Sequence, residues 1–195
     1  SIVLEHIFYG LAWASFGLVH SVLAADSVKA RLGFGRYHRL AYNGFAVLHL
    51  GIVWWCGRVG LAAAPPLGLP STVSLIGNGT TVLGLVIVAV ALTGYDRGRF
   101  LGTTQLRSPD EEPDEDLKTG GLLRYVRHPL YSGLFLVLWG NAQTEFALAT
   151  AVWGSLYVWI GAKYEERRLT DRYGEAYLAY RRRVPAFIPW RGRAA

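Results

Sequence analysis

The chain has 195 residues, of which 52% are hydrophobic and 17% are charged, and its formal net charge is +6. Soluble domains ordinarily contain about a quarter charged residues, and here the apolar residues form long uninterrupted blocks, so the composition excludes an ordinary soluble domain. The basic residues flank these blocks instead of forming one soluble patch, which argues against a nucleic-acid-binding protein.

Three apolar blocks follow one another in the first half of the chain. They run from about Ile2 to Ala25, from Leu40 to Ala64 and from Val73 to Gly94. Each approaches the roughly 20 residues that a helix needs to cross the hydrocarbon layer, and we expect the first to be a retained span. The single cysteine, Cys56, lies in the second block, so an intrachain disulfide and a cysteine metal site are excluded.

A fourth apolar region extends from Leu130 to Ala162 and is interrupted at Asn141–Glu145. The interruption predicts a tight turn between two helices. Each arm is short for a full crossing, so we expect a tilted pair or a locally thinned bilayer. With the first three blocks, this gives about five transmembrane helices in an all-α, polytopic membrane bundle that forms a single domain over residues 1–195.

Basic residues alternate between the links that join these spans. The link after the second span contains only Arg58 and the turn at Asn141–Glu145 contains none, whereas the other links and the C-terminal tail are rich in arginine and lysine. The positive-inside rule then predicts an outside N-terminus and a cytosolic C-terminus. Both long polar segments would face the cytosol.

Two polar segments differ in their pattern. The acidic run Ser108–Asp116 contains two prolines, which predicts a solvated loop, with a metal site as the less favoured alternative. Residues Tyr164–Tyr180 have apolar and aromatic side chains at three- and four-residue spacing, which predicts an amphipathic helix capping the cytosolic side. Gly174 weakens that helix, and prolines at 185 and 189 end it.

The densest group of chemically active residues spans Gly120–Gly133, where the cytosolic link enters the fourth apolar region. Pro129 suits the first turn of a helix, so Arg127 and His128 would lie beside the free amides of a helix N-terminus. That arrangement favours a bound anion such as a carboxylate. The alternative is that arginine, histidine and tyrosine only anchor the helix at the membrane surface.

A pair of carboxylates, Glu165-Glu166, follows the last apolar stretch. Carboxylates beside hydrocarbon are costly and usually have partners. Arg127, Arg181 or a cationic ligand would supply one, and Arg168 on the same helix is the simpler alternative. Three tyrosines then recur at helical spacing, which indicates either packing beneath a cap or the aromatic wall of a cation-binding pocket, at Tyr173, Tyr177 and Tyr180.

The order of these motifs resembles the membrane methyltransferase superfamily, which includes isoprenylcysteine carboxyl methyltransferases and bacterial phospholipid N-methyltransferases. The sterol reductases share a similar C-terminal half. The resemblance covers residues 118–190 and is carried by Arg127-His128-Pro129-x-Tyr131, a helical hairpin, Glu165-Glu166 and the tyrosine series that ends in Pro185 and Pro189. Residues 1–95 are expected to form an N-terminal part of three helices. Two short segments, Phe16–Val22 in this part and Phe100–Gln105 in the link after it, resemble bacterial methanethiol S-methyltransferases and NnrU-like proteins.

The resemblance implies an S-adenosylmethionine-dependent methyltransferase whose donor enters from the cytosol and lies beneath the C-terminal cap. The acceptor would come from the bilayer. The residues implied to bind the cofactor are Leu122, Tyr125, Arg127, His128, Pro129, Tyr131, Glu165, Glu166 and Tyr180. Arg127 and His128 would meet the methionine carboxylate or hold the cap, and one of the two glutamates would contact the amino or ribose groups. No Gly-rich nucleotide-binding loop is present, so the fold of soluble methyltransferases is not implied.

Methyl transfer to a thiol requires the thiolate, since the thiolate is the nucleophile. The catalytic candidates are Arg127, His128, His20 and Gln105. His38 and Arg36 are further candidates for a base or a thiolate-stabilising group, whereas His49, deep in the second span, is expected to be structural. Gln105 would hydrogen-bond substrate if its loop folds back over the pocket. No metal is expected.

The favoured function is methylation of a small or lipophilic thiol at the bacterial inner membrane, with the active site facing the cytosol. Carboxyl methylation of prenylated cysteine and phospholipid N-methylation are the alternatives within the superfamily. A haem-binding NnrU-like protein or isomerase, with His20, His38 or His49 as axial ligand, is the alternative from another class, and a non-catalytic membrane partner is the third. The expected partners are the acceptor and the lipid bilayer, without nucleic acid, and the sequence does not indicate an oligomeric state.

Overall fold

The computed structural model describes residues 1–95, 103, 106 and 115–191, and every regular element with assigned bounds in this part of the chain is helical. The predicted all-α class is therefore confirmed. Short 3-10 turns lie at Gly35–Tyr37 and Gly121–Arg124. The helices are α1 (Ile2–Ala24), α2 (Asp26–Leu32), α3 (His38–Gly60), α4 (Ser71–Leu92), α5 (Pro129–Gly140), α6 (Glu145–Tyr173) and α7 (Glu175–Arg183).

Four of these helices, α1, α3, α4 and α6, are long and apolar enough to cross a membrane. The chain is therefore a polytopic helical membrane protein. α5 has 12 residues and is about 18 Å long at a rise of about 1.5 Å per residue, so it is too short for a hydrocarbon layer of about 30 Å. The five predicted spans therefore correspond to four long helices and one shorter apolar helix in the structure.

The last long helix differs from the prediction in both length and end point. The predicted turn is confirmed, because α5 ends at Gly140 and α6 begins at Glu145, where Thr144 Oγ1 accepts a hydrogen bond from the Ala147 amide at 3.1 Å. However, α6 has 29 residues, so the expectation that both arms are short was wrong for this arm. About 20 residues suffice to cross the hydrocarbon, and the final turns therefore extend beyond it.

The predicted amphipathic helix over Tyr164–Tyr180 is also corrected. Residues up to Tyr173 continue α6, and α7 starts separately at Glu175. Gly174 between them has φ of 54°, a left-handed conformation that side chains other than glycine rarely adopt. The glycine that was expected to weaken one helix instead separates two.

Contacts divide the described chain into two compact units. The first is built on Ser1–Pro66, where α1 packs against α3, and the Tyr9 ring fills the space that a side chain at Gly57 would need. The second is built on Leu67–Gly94 and residues 115–191, where α4 packs on α5, α5 on α6 and α6 on α7. α4 was expected to belong to the three-helix N-terminal part, residues 1–95, whereas it packs on α5 of the C-terminal part.

Close contact between α4 and α5 depends on glycine. Gly84 faces Gly133, and Gly77 faces Gly140, so the two helices run antiparallel. A Cβ atom on Gly84 would lie 2.7 Å from the Gly133 carbonyl oxygen and 2.8 Å from the Val137 amide nitrogen. Small residues allow helix backbones to approach closely in membranes, where van der Waals contact is a main source of helix association.

We predict that Gly84→Ala destabilises the protein, because the new methyl group meets backbone atoms that cannot move aside. Overpacking of this kind costs about 1–3 kcal/mol, which should lower the melting temperature of detergent-purified protein. Gly79→Ala on the same helix is the matched control, since nothing lies within 4 Å of its Cβ position. Equal melting temperatures for the two variants would contradict the glycine-dependent packing.

Candidate active site

The start of α5 and the end of α6 meet at one carboxylate in the second unit. Arg127 Nε and Nη2 donate hydrogen bonds to Glu166 Oε1 at 2.8 and 2.6 Å. His128 Nε2 lies 3.0 Å from the same oxygen. The Arg127 and Glu166 side chains are only 10% and 7% exposed. The structure thus brings together residues that are separated by 39 positions in the sequence.

Arg127 also holds the cap formed by α7 and the residues after it. Its Nη1 donates to the carbonyl oxygens of Arg181 and Val184 at 3.3 and 2.5 Å, which satisfies free acceptors at the end of α7. The Arg127 amide donates to the Pro185 carbonyl at 2.9 Å, and the next amide donates to the Ala186 carbonyl at 3.0 Å. Arg127 therefore contacts the cap through both its side chain and its backbone, and its predicted role towards the methionine carboxylate stays a prediction.

His128 lies between the two glutamates. Its Nδ1 is 3.7 Å from Glu165 Oε2, while its Nε2 faces Glu166. The imidazole is stacked on Tyr131, at 5.4 Å between ring centroids, and lies 5.5 Å from the Phe187 ring. Neighbouring residues on a helix point about 100° apart, so Glu166 is buried whereas the Glu165 side chain stays 38% exposed.

The tyrosines of the cap form a small core with Val184. Tyr177 and Tyr180 are 1% and 3% exposed, and Tyr180 Oη donates to the Leu123 carbonyl at 2.6 Å, which ties the 3-10 turn to α7. Burial raises the pKa of Tyr177 to about 12 and raises the pKa of Tyr180 above its ordinary value. Both phenols are therefore neutral at physiological pH, so the Tyr180 hydroxyl retains the proton that it donates.

The remaining predicted residues fall in different places. Pro129 is buried at the first position of α5, Leu122 lies partly buried in the 3-10 turn, and Tyr125 is 42% exposed. His20, one of the candidates for a base or thiolate-stabilising group, belongs to the first unit and is 3% exposed in α1. Gln105 lies outside the described residues. The same holds for most of the segment Phe100–Gln105 and for most of the acidic run Ser108–Asp116.

Two residues of this site, Ser132 and Phe187, were given no role in the sequence analysis, whereas Arg181 was one of the partners expected for the glutamate pair. Ser132 Oγ donates to the Phe187 carbonyl at 2.7 Å, and the ring of Phe187 covers His128. Arg181 Nε lies 3.6 Å from Glu166 Oε2, so Arg127, His128 and Arg181 are the observed partners of this glutamate, whereas the simpler interpretation assigned that place to Arg168. The spacing of Ser132 one turn after His128 accounts for its bond to the His128 carbonyl at 3.1 Å, but no sequence feature indicated its contact with Phe187.

Comparison with known proteins gives several curated relatives. The chain is 33% identical over 191 residues to "Methanethiol S-methyltransferase" of Crocosphaera subtropica, covering 91% of this chain and 72% of that protein. It is 28% identical over 197 residues to "Methanethiol S-methyltransferase 1" of Bradyrhizobium diazoefficiens, covering 93% and 66%. A shorter match, 34% identical over 82 residues, is to "Protein-S-isoprenylcysteine O-methyltransferase" of Schizosaccharomyces pombe, covering 39% of this chain and 34% of that protein.

No family model matches the chain, and no solved structure matches it. The helical membrane fold, the ionic cluster beneath the cap and these relatives together define an integral membrane methyltransferase. The chain belongs to the family of membrane methyltransferases represented by the proteins named methanethiol S-methyltransferase. It spans about two thirds to three quarters of the length of those two relatives, at 66% and 72%.

We predict that Glu166→Gln lowers the melting temperature strongly. The change leaves the buried Arg127 guanidinium without its counter-charge, and breaking a buried pair in this way costs about 3–5 kcal/mol. Glu165→Gln is the matched control, because this neighbouring side chain is 38% exposed and should change the melting temperature little. A Glu166→Gln protein as stable as Glu165→Gln would show that the cluster does not hold the cap.

We also predict a loss of stability in alkali that depends on Tyr177. The folded protein keeps this phenol protonated up to a pKa of about 12, whereas the unfolded chain releases the proton near the ordinary value of 10. The stabilisation is complete below pH 10 and is lost as the pH rises towards 12. Between these pH values, the melting temperature should fall more steeply with pH for the wild type than for Tyr177→Phe. Parallel curves would contradict the assignment.

Proposed function

We propose that this protein transfers a methyl group from S-adenosylmethionine to a small or lipophilic thiol. The observation that carries the proposal is the cluster in which Arg127 and His128 contact Glu166 beneath the cap. These residues belong to motifs that follow one another in the order seen in membrane methyltransferases. The thiol acceptor is inferred from the relatives named methanethiol S-methyltransferase, one of which is 33% identical over most of the chain.

The residues at the site fit a methyl donor with an amino acid part and a sulfonium centre. Glu165 has a partly exposed carboxylate beside His128, which suits an ammonium group or ribose hydroxyls. The stacked rings at Tyr131 and His128 suit a sulfonium, because cations are attracted to aromatic faces. The Arg181 side chain is 47% exposed, and its guanidinium suits the donor's carboxylate.

This assignment refines the roles predicted from the sequence. Arg127 and Glu166 use their polar atoms on each other and on the cap, so we propose that they position the site. Glu165, Tyr131 and Arg181 would then contact the donor, together with the predicted wall residues Leu122, Tyr125, Pro129 and Tyr180. His128 would do both, because its ring lies between the two carboxylates.

When bound, S-adenosylmethionine supplies an activated methyl group on a positively charged sulfur. The protein has to hold the acceptor in line with this group and exclude water, which are the main sources of catalysis in such a displacement. The thiol must also lose its proton to a base. Among the predicted catalytic residues, His20 is the described group with an open proton-accepting nitrogen, and Gln105 stays a prediction.

We further propose that the site faces the cytosol of a bacterial inner membrane. Glu165 follows the first 20 residues of α6, about the length that crosses the hydrocarbon layer, which supports a position at the membrane boundary. Basic residues surround this end of the helix, including Lys163 and Arg167, and basic links favour the cytosolic side. Carboxyl methylation of prenylated cysteine is the second candidate, supported by the shorter match to the isoprenylcysteine enzyme of Schizosaccharomyces pombe.

The proposal predicts that detergent-purified protein binds S-adenosylmethionine and S-adenosylhomocysteine in calorimetry and transfers a radiolabelled methyl group to small thiols. Glu165→Gln should weaken donor binding about tenfold, since a hydrogen bond to a charged group contributes about 1.5–3 kcal/mol, and should leave the melting temperature unchanged. His128→Ala and Glu166→Ala should abolish binding.

Glu175→Gln is the matched control, because Glu175 lies on α7 with a side chain that is 74% exposed and pairs with Arg182. Its donor affinity should equal that of the wild type. A wild-type protein without affinity for either ligand would overturn the proposal. So would a Soret band in the purified protein without methyl transfer, which is the result that the haem-binding alternative requires.

A further inference from the structure

The first unit contains a pair of histidines that are not among the proposed donor-binding residues. His20 on α1 and His49 on α3 have ring centroids 5.3 Å apart, and both helices are membrane-spanning. His20 is 3% exposed. Ionisable residues within membrane spans are costly and generally mark functional positions. The pair therefore requires an explanation beyond helix packing.

The ring nitrogens of this pair are largely unsatisfied. Both nitrogens of His20 and Nδ1 of His49 are buried without a hydrogen-bond partner among the residues that the structure describes. Nε2 of His49 is 3.2 Å from Ser15 Oγ. A neutral imidazole always has one donor and one acceptor nitrogen, so in either tautomer His20 presents an open acceptor. Buried polar atoms without partners are rare, which points to a ligand with a proton to share.

Aromatic rings pack around the His20 imidazole. The centroid of the His20 ring lies 4.4 Å from Phe16, 5.4 Å from Tyr42 and 5.5 Å from Phe45. Sulfur makes favourable contacts with aromatic rings, and a thiol has a weak S–H donor. A water molecule would meet the nitrogens but would gain little from three rings. A small thiol matches both the open acceptors and the aromatic surroundings.

We propose that His20 and His49 form the binding site for the acceptor thiol and that His20 accepts its proton. This inference rests on the proposed thiol methylation and names the residues that recognise its substrate. The S–H bond breaks and the proton passes to an open ring nitrogen of His20. The sulfur electron pair forms the new S–CH₃ bond as the S–CH₃ bond of the sulfonium donor breaks, which gives a thioether and S-adenosylhomocysteine, and His20 later releases the proton to water.

The two histidines have different roles in this site. His20 has two open nitrogens and acts as the base, so it would touch the reacting sulfur. His49 is oriented by Ser15, and its open Nδ1 is available to hold the thiol in place. Replacing His20 should therefore reduce turnover at saturating thiol, whereas replacing His49 should chiefly raise the KM for the thiol.

The test uses the full chain in lipid nanodiscs. Calorimetry with ethanethiol in the absence of methyl donor should show binding, and dimethyl sulfide, which has no proton to give, should bind at least tenfold more weakly. His20→Phe keeps an aromatic ring and removes the acceptor nitrogens, so it should lose thiol binding at least tenfold. Its kcat should fall by about 10²–10⁴-fold, the usual contribution of a positioned base. Affinity for S-adenosylhomocysteine should be unchanged.

His6→Phe on the same helix is the control and should keep wild-type thiol binding and turnover. If S-adenosylhomocysteine affinity shows that His20→Phe has not folded, His20→Asn takes its place with the same expected losses. Wild-type thiol binding and turnover in the folded His20 variant would overturn the inference and leave the proposed function intact. Wild-type protein that methylates no thiol would contradict the proposed acceptor. If ethanethiol also fails to bind to the wild type, the inferred thiol site is contradicted as well. Haem in the purified protein that is lost in His20→Phe would also overturn the inference.

Discussion

The ionic contacts of the Glu166 carboxylate connect the start of α5, the C-terminal part of α6 and α7, and they are the constraint on which the cap depends. The carboxylate is nearly buried, and a buried charge is tolerated only when opposite charges and hydrogen bonds surround it. Arg127 and His128 supply these from the start of α5, and Arg181 approaches from α7. Three stretches that are far apart in sequence are thus held at one point. Loss of Arg127 or Glu166 removes the shortest ion pair of the cluster and leaves the other side chain buried without that counter-charge.

Arg127 extends this constraint to the cap. The same guanidinium that neutralises Glu166 also binds the carbonyl oxygens at the end of α7, and the backbone after α7 pairs with the amides before α5. The buried tyrosines then close the other side of the cap. The cap is therefore fixed by polar contacts at its edge and by apolar packing beneath it, which leaves Glu165 as the partly exposed acidic group beside His128.

The sequence was sufficient for the helical class and for most boundaries of the long helices, because long apolar blocks and the polar turn at Asn141–Glu145 are visible in the order of the residues. It also identified Arg127, His128 and the glutamate pair. It did not distinguish Glu165 from Glu166, since neighbouring helical residues differ only in direction, and direction depends on what packs against the helix. Similarly, the positive φ at Gly174 was not evident, because the amphipathic spacing continues across it. His49 was expected to be structural because it lies deep in the second span, and the sequence does not show that His20 on another helix lies beside it.

The position of the cap after α6 has a consequence for synthesis of the chain. Arg127, His128 and Glu166 leave the ribosome before Arg181 and the segment that follows it. Until those later residues emerge, the Arg127 guanidinium lacks the carbonyl oxygens that α7 provides. α5 and α6 are therefore synthesised before the residues that complete the cluster. A nascent chain stalled before residue 181 would contain the membrane helices in full and still be unable to close the cap.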